Sequence, residues 1–431
     1  MKILITGCAG YVGSVLTTAL AKLEGVAEIV GLDLWPRPDR LRIGKLRWVQ
    51  ADAADGSWRA ALGGHGIDAV IHCAYHTREP YGAAHERQRR SNHDGARNVF
   101  EFALGEPSVR RLIQFSTVSI YGARPENSPA APFTEDTPVV PADYLYSRQK
   151  QEVEAILRGL YERSDGSRHA LIVRPASVSG PYGRYAVNRF GGLVSTLTGR
   201  LPAIPVGRRD WCRQYLHEDD LAAIVAMFLT TPRGPGLEVF NLAPDDALSS
   251  DDLAALYGKR VLVVPPLLLR AAFGLIWHGT RGAFTTPPGA WRMLTYPIAV
   301  DGSRLTRVYG YRYKYSSAEA LAAEQGEHAA TAVRSAAAPS PRSPLEPIGQ
   351  HPPSDYSRLH QASGDSAPLV ARNRLWRQAC SGRLSTRALA GAHSLAGGRV
   401  TAREEQAEMW PTVITAVTAL LHLASSERAA R

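Results

Sequence analysis

Near its start the chain has a pattern that few folds accommodate. Ile3, Leu4 and Ile5 form an apolar run broken by Thr6, glycines follow at positions 7, 10 and 13, and residues 15–23 then place apolar side chains at helical spacing. This is a strand, a glycine turn and a helix. Gly7 permits the tight turn, Gly10 lets backbone N–H groups approach a pyrophosphate with no side chain between, and Gly13 lets the helix pack close to the strand. Tyr11 and Val12 lie inside the turn, where the positive end of the helix meets the phosphates. Twenty residues beyond Gly13, Asp33 follows the apolar run 27–32. A carboxylate there accepts hydrogen bonds from the adenine ribose hydroxyls and repels a 2′-phosphate, so NAD is expected. NADP is the lesser alternative, kept open by Arg37 and Arg40.

Strand and helix patterns continue to alternate. Residues 46–50 read as a third strand ending near Asp52 and Ala53, 69–74 as a fourth ending at Cys73 and Ala74, 90–104 as a helix carrying Asn92, and 112–117 as a fifth strand ending at Thr117. Such alternation implies right-handed crossovers and a parallel sheet covered by helices on both faces, with ligands bound beyond the carboxyl ends of the strands. Asp52, Ala74 and Thr117 all fall at those ends.

A proline-rich loop, 123–141, precedes a helical pattern that starts near Asp143. Within it Tyr146 and Lys150 are four residues apart and share one face. An ammonium beside a phenol lowers the phenol's pKa toward a value useful for proton transfer, and a hydroxyl such as Thr117 steadies the same substrate oxygen. Together Thr117, Tyr146 and Lys150 make an acid–base device for an alcohol or ketone, set beside a nicotinamide.

Composition narrows the remaining classes. Four scattered cysteines without a C-x-x-C pair indicate neither disulfides nor a zinc site, so no metal is expected. No apolar leader follows Met1 and Lys2, and a cytoplasmic protein is expected. The apolar stretch 261–277, interrupted by Pro265, Pro266 and Arg270, is too short to span a bilayer and reads as a core or interface helix. Residues 331–431 hold 12 arginines against 7 acids, which is +5 of the formal +10, so no part of the chain has the concentrated charge of a nucleic-acid groove.

The stretches 6–13, 70–74, 92–99 and 115–122, with Tyr146 and Lys150, resemble in order and spacing the extended short-chain dehydrogenase/reductases. More narrowly the chain resembles the NAD-dependent epimerase/dehydratase family, that of UDP-galactose 4-epimerase. The resemblance implies a Rossmann-type, doubly wound α/β domain over 1–175, with a segment near 213–243 returning to it. A smaller α/β substrate domain over 176–325 and a homodimer packed through the helices of Asn92 and Tyr146 are also implied. Residues 213–221 resemble the motif R-D-[FY]-[IV]-H-V-x-D-[LVA], whose arginine, here Arg213, meets the diphosphate of a nucleotide sugar; a planar guanidinium suits that task. The implied cofactor residues are Gly7, Gly10, Tyr11, Val12, Gly13, Asp33, Asp52, Ala53, Cys73, Ala74, Asn92, Tyr146 and Lys150. Those implied for the substrate, a nucleoside-diphosphate sugar, are Thr117, Ser177, Asn188, Arg213 and Arg292.

Three departures bear on the reaction. Val118 and Ser119 stand where sugar-nucleotide 4,6-dehydratases carry Asp and Glu, which disfavours dehydration. Ser177 replaces the usual Asn of the R-P-x-N-V-Y-G-P strand exit. The R-x-G-D segment near residue 300 is missing, leaving Arg292 as the candidate second phosphate-side arginine and leaving room for a non-nucleotide, sterol-like alcohol or ketone. A dinucleotide sensor without chemistry is a third reading. From 326 to 431 Ala, Ser, Pro, Arg and Gly dominate, predicting a largely disordered extension with a helix at 411–424.

Overall fold

The computed structural model describes residues 1–183, 203–282 and 286–329. The chain divides into two compact units, 1–348 with 423–431, and 349–422; every described residue belongs to the first. Asn188, the helix expected at 411–424 and nearly all of the expected extension lie outside the described residues.

In chain order the strands are β1 (Lys2–Thr6), β2 (Glu28–Asp33), β3 (Leu46–Gln50), β4 (Ala69–His72), β5 (Arg111–Phe115), β6 (His169–Pro175), β7 (Ser177–Ser179), β8 (Ala203–Val206), β9 (Cys212–Arg213), β10 (Tyr215–His217), β11 (Gly236–Leu242), β12 (Leu248–Ser249) and β13 (Arg260–Val263). The helices that matter here are α1 (Tyr11–Leu20), α2 (Trp58–Leu62), α3 (Ala84–Gly105), α4 (Leu145–Glu162), α5 (Glu218–Thr230), α6 (Ser250–Leu256) and α7 (Pro266–Gly279).

Seven strands form one parallel sheet in the order β11-β6-β5-β4-β1-β2-β3. From β3 to β6 this is the doubly wound dinucleotide-binding order, whose reversal beside β1 opens a crevice at the carboxyl ends of β1 and β4. Alternation along β1 feeds both faces. Ile3 and Ile5 join the core under α1 and α5, with Leu16, Leu20, Ile224 and Phe228. Leu4 points the other way, into a core with Trp58 of α2, Phe100 of α3 and Leu157 of α4. After α5 the chain returns to the sheet edge as β11, beside β6. The remaining strands form short pairs: β8 with β13, β7 with β10, and β9 with β12.

Several boundaries differ from expectation for identifiable reasons. Strand β5 stops at Phe115 because Thr117 caps a 3-10 turn, Val118–Tyr121, accepting from the Ser119 N–H at 3.2 Å. Helix α3 begins at Ala84, six residues before its apolar periodicity starts, since its first turns are held by polar contacts such as Gln88 to the His76 and Arg78 carbonyls. The apolar stretch 261–277 is not one helix. Pro265 and Pro266 end β13 and start α7, as proline suits a helix's first turn but not its interior.

Candidate active site

The glycine turn sits where the crevice opens. Gly7 has φ +73° and packs so tightly on β4 that a Cβ would lie 2.6 Å from the Ala74 nitrogen; a Cβ on Gly13 would lie 2.2 Å from the Gly7 oxygen. Gly10 precedes α1 and supplies no side-chain cap, so the first-turn N–H groups of that helix are left to a ligand. Asp33 is buried at the end of β2, where its oxygens accept from the Ala9 N–H at 2.8 Å and the Trp35 N–H at 3.0 Å. Arg40 reaches back to the same place, donating to the Ala9 carbonyl at 2.5 Å and to Ser14 Oγ at 3.3 Å. A bare helix N-terminus, glycines without room for a Cβ and a carboxylate one strand over fit an adenine dinucleotide.

Beyond β4 and β5, Tyr146 meets Thr117, and Lys150 lies one helical turn further along α4. The Tyr146 phenol faces the Thr117 side chain. Lys150 is buried; its Nζ donates to the Phe115 carbonyl at 2.9 Å and lies 3.8 Å from the centroid of the Tyr75 ring. The electrostatics run opposite to the simple expectation for a phenol beside an ammonium. Burial pushes the Tyr146 phenol up to about 12, with the Thr117 hydrogen bond pulling it down. Burial likewise holds the Lys150 amine down to about 7, against Cys73 and Glu154. In both groups desolvation is the largest cause, and neither shift draws on the other residue.

Two residues that the spacing of motifs did not suggest complete this cluster. Tyr75 stands edge-on to Tyr146, with ring centroids 5.6 Å apart, and donates to Gln149 Oε1 at 3.2 Å. Glu79, 4% exposed, accepts from the Tyr146 N–H at 2.9 Å, and burial pushes its carboxyl up to about 7. Neither lies in a repeat or a recognisable spacing, so only the turn after β4 brings them to α4. Asn92 works behind the site: it accepts from the His76 N–H at 2.8 Å and donates to Gln149 at 2.9 Å, tying the loop after β4 to α4. Asp52 and Ala53 sit just past β3, where Asp52 accepts from the Ala54 N–H and the Ala53 carbonyl accepts from Asn98.

Next to Thr117 lies a small cleft, partly open to solvent, lined by Val118, Ser119, Ser177, Arg213, Gln214 and Met293 among others. Arg213 is buried, and its guanidinium donates to the carbonyls of Cys212, Tyr296 and Met293. Burial holds its pKa down to about 10. Arg292 does not line this cleft: it lies 3.8 Å from Asp143 and 5.0 Å from the Tyr296 ring centroid. Among the described residues no cluster of His, Cys, Asp or Glu is arranged to hold a metal, and no helix is long and apolar enough to cross a membrane.

A sheet of this order with a glycine turn at its reversal defines a dinucleotide-binding enzyme fold, and a Tyr-x-x-x-Lys helix beside that turn defines the extended short-chain dehydrogenase/reductase class. Residues 3–243 match the model of the NAD dependent epimerase/dehydratase family. The chain belongs to that family. It is 26% identical over 325 residues to the uncharacterized protein Rv0501 of Mycobacterium tuberculosis, covering 74% of this chain and 82% of that one. It is 27% identical over 265 residues to a UDP-glucose 4-epimerase of Corynebacterium glutamicum, covering 58% of this chain and 77% of the relative. Its fold resembles that of the UDP-glucuronic acid 4-epimerase of Bacillus cereus, solved with UDP-glucuronic acid and NAD: the TM-score is 0.57 at 20% identity, over 75% of this chain and 98% of the other.

Proposed function

We propose that the protein is an NAD-linked epimerase of a nucleoside-diphosphate sugar, with Thr117, Tyr146 and Lys150 as its catalytic residues. The observation that carries this reading is the meeting of Tyr146 and Thr117 at the edge of the cleft that Ser177 and Arg213 line. A bound nicotinamide supplies the hydride acceptor and donor. Tyr146 would give its proton to the ketone oxygen and recover it from the sugar hydroxyl; its phenol, pushed up to about 12 by burial, acts as the base only once the positive charge of an oxidised nicotinamide lowers it. Thr117 holds the reacting oxygen while its charge changes. Lys150, one helical turn from the phenol, supplies positive charge and a donor for the nicotinamide ribose. Arg213 is suited to diphosphate by its planar fork and by a burial that strengthens any anion contact.

Dehydration is disfavoured because Val118 and Ser119 line the cleft where an acid and a base would be needed. The carboxylate of Asp33 favours NAD over NADP, and we expect a homodimer formed through α3 and α4 in the cytoplasm. A second reading, oxidation or reduction of a non-nucleotide alcohol, is favoured by the placement of Arg292 on Asp143, away from the cleft. Incubation with UDP-, GDP- and dTDP-sugars and with hydrophobic ketones separates them. Turnover of a nucleotide sugar is expected; turnover confined to hydrophobic ketones selects the second reading. Stoichiometric NAD binding without turnover of anything would reduce the protein to a sensor.

A further inference from the structure

We propose that Glu218 is a positioning residue that latches the dinucleotide turn to the substrate-side strand exit, so that occupancy of the first changes the order of the second. The proposal rests on reading the glycine turn as the dinucleotide site.

Glu218 stands where β10 ends and α5 begins, at the position that is Val in the family motif quoted above. It has 0% exposure. A carboxylate removed from water persists only where donors replace the lost solvent. Here there are three: the Tyr11 hydroxyl at 2.5 Å, the Tyr182 N–H at 2.7 Å and the Gly183 N–H at 2.9 Å. They come from two different working parts. Tyr11 is the first residue of α1, inside the glycine turn. Tyr182 and Gly183 follow β7, whose first residue, Ser177, lines the cleft. Strands β7 and β10 run parallel with Ser179 opposite His217, so their carboxyl ends emerge side by side at Glu218.

The packing leaves no slack for the parts to move independently. A Cβ on Gly180 would lie 2.6 Å from Glu218 Cγ, and one on Gly183 would lie 2.4 Å from the Tyr11 hydroxyl oxygen. The Tyr11 and Tyr182 rings stack with centroids 5.9 Å apart. Burial and the adjoining Glu218 push the Tyr11 phenol upward, so it stays protonated and remains a donor. Closure of the turn on a pyrophosphate therefore acts on a hydroxyl whose acceptor also holds the amides of Tyr182 and Gly183. That is a shared physical element between two sites, the requirement for energetic coupling.

The test is hydrogen exchange on the full chain with and without saturating NAD, read on peptides spanning residues 177–183, with binding followed by calorimetry on the same samples. In the wild type NAD is expected to slow exchange in this segment. Tyr11→Phe keeps the stacked ring and removes only the hydroxyl, and should shrink that response at least about fivefold, the lower end of ordinary site–site coupling. Glu218→Gln, which keeps an acceptor and loses the charge, should give an intermediate response. A response in Tyr11→Phe as large as in the wild type, or none in NAD-bound wild type, overturns the latch. Failure of NAD to bind the wild type at all would overturn the dinucleotide reading and the latch with it, and calorimetry tells that outcome apart.

Discussion

Lys150 and Glu79 are both buried against their charged forms, and each links folding to pH. For Lys150 the unfolded chain holds the proton up to about 10.5 and the folded chain only below about 7. Its penalty on folding is therefore complete below pH 7 and vanishes as pH rises toward 10.5. Glu79 behaves in the complementary way: its folded value near 7 lies above 4.5, so its penalty is absent below pH 4.5 and complete above 7. Lys150→Met should raise the melting temperature at pH 7 by a few degrees, the shift that ~1–2 kcal/mol produces in a large domain. It should also flatten the rise in stability between pH 7 and 10; scanning calorimetry across that range checks both. Tyr146→Phe addresses chemistry instead. Turnover should fall by roughly 10²–10⁴, the usual worth of a general acid–base group, while calorimetry still detects NAD binding.

Helix α4 is the element that makes the site, because it is held at both ends of its buried face. At its start Glu79 accepts from the Tyr146 N–H. Two turns on, Glu154 forms a bidentate pair with Arg174 of β6, at 3.0 and 2.7 Å, and both side chains are buried. Arg174 also donates to the Tyr121 hydroxyl at 2.7 Å, which donates to Asn241 of β11 at 2.8 Å, whose N–H donates to Glu135 in the proline-rich loop. This chain of contacts joins α4 to the sheet edge. Removing one partner strands a buried charge, so Glu154→Ala should cost ~3–5 kcal/mol in urea unfolding. The double variant Glu154→Leu with Arg174→Met should recover most of that loss. If the single and double variants are equally unstable, the pair is not what docks the helix.

At the scale of the whole molecule, one edge of the sheet collects the chemistry. The carboxyl ends of β1 and β2 carry the glycine turn and Asp33, the 3-10 turn after β5 carries Thr117, and the later pieces β7, β9 and β10 bring Ser177, Arg213 and Glu218 to the same edge. A ligand that bridges these parts stabilises them jointly. NAD at about 100 times its dissociation constant should add ~2.7 kcal/mol to folding stability, seen as a thermal shift. NADPH at equal concentration should give a smaller shift because its 2′-phosphate meets Asp33, and equal shifts would remove Asp33 as the discriminating group.

The sequence by itself determined the sheet, the glycine turn, the acid at position 33 and the Tyr146–Lys150 pair. All of these are local patterns: alternation along a strand, glycine where a Cβ has no room, and a spacing of four on a helix. Burial of the Tyr146–Lys150 pair, and with it the direction of both pKa shifts, was decided only by tertiary structure, as were the contacts of Tyr75, Glu79 and Glu218. Desolvation depends on what packs around a group from distant parts of the chain. Residues 79 and 146, or 11 and 218, carry no mark of their partnership until the sheet brings their strands' ends together.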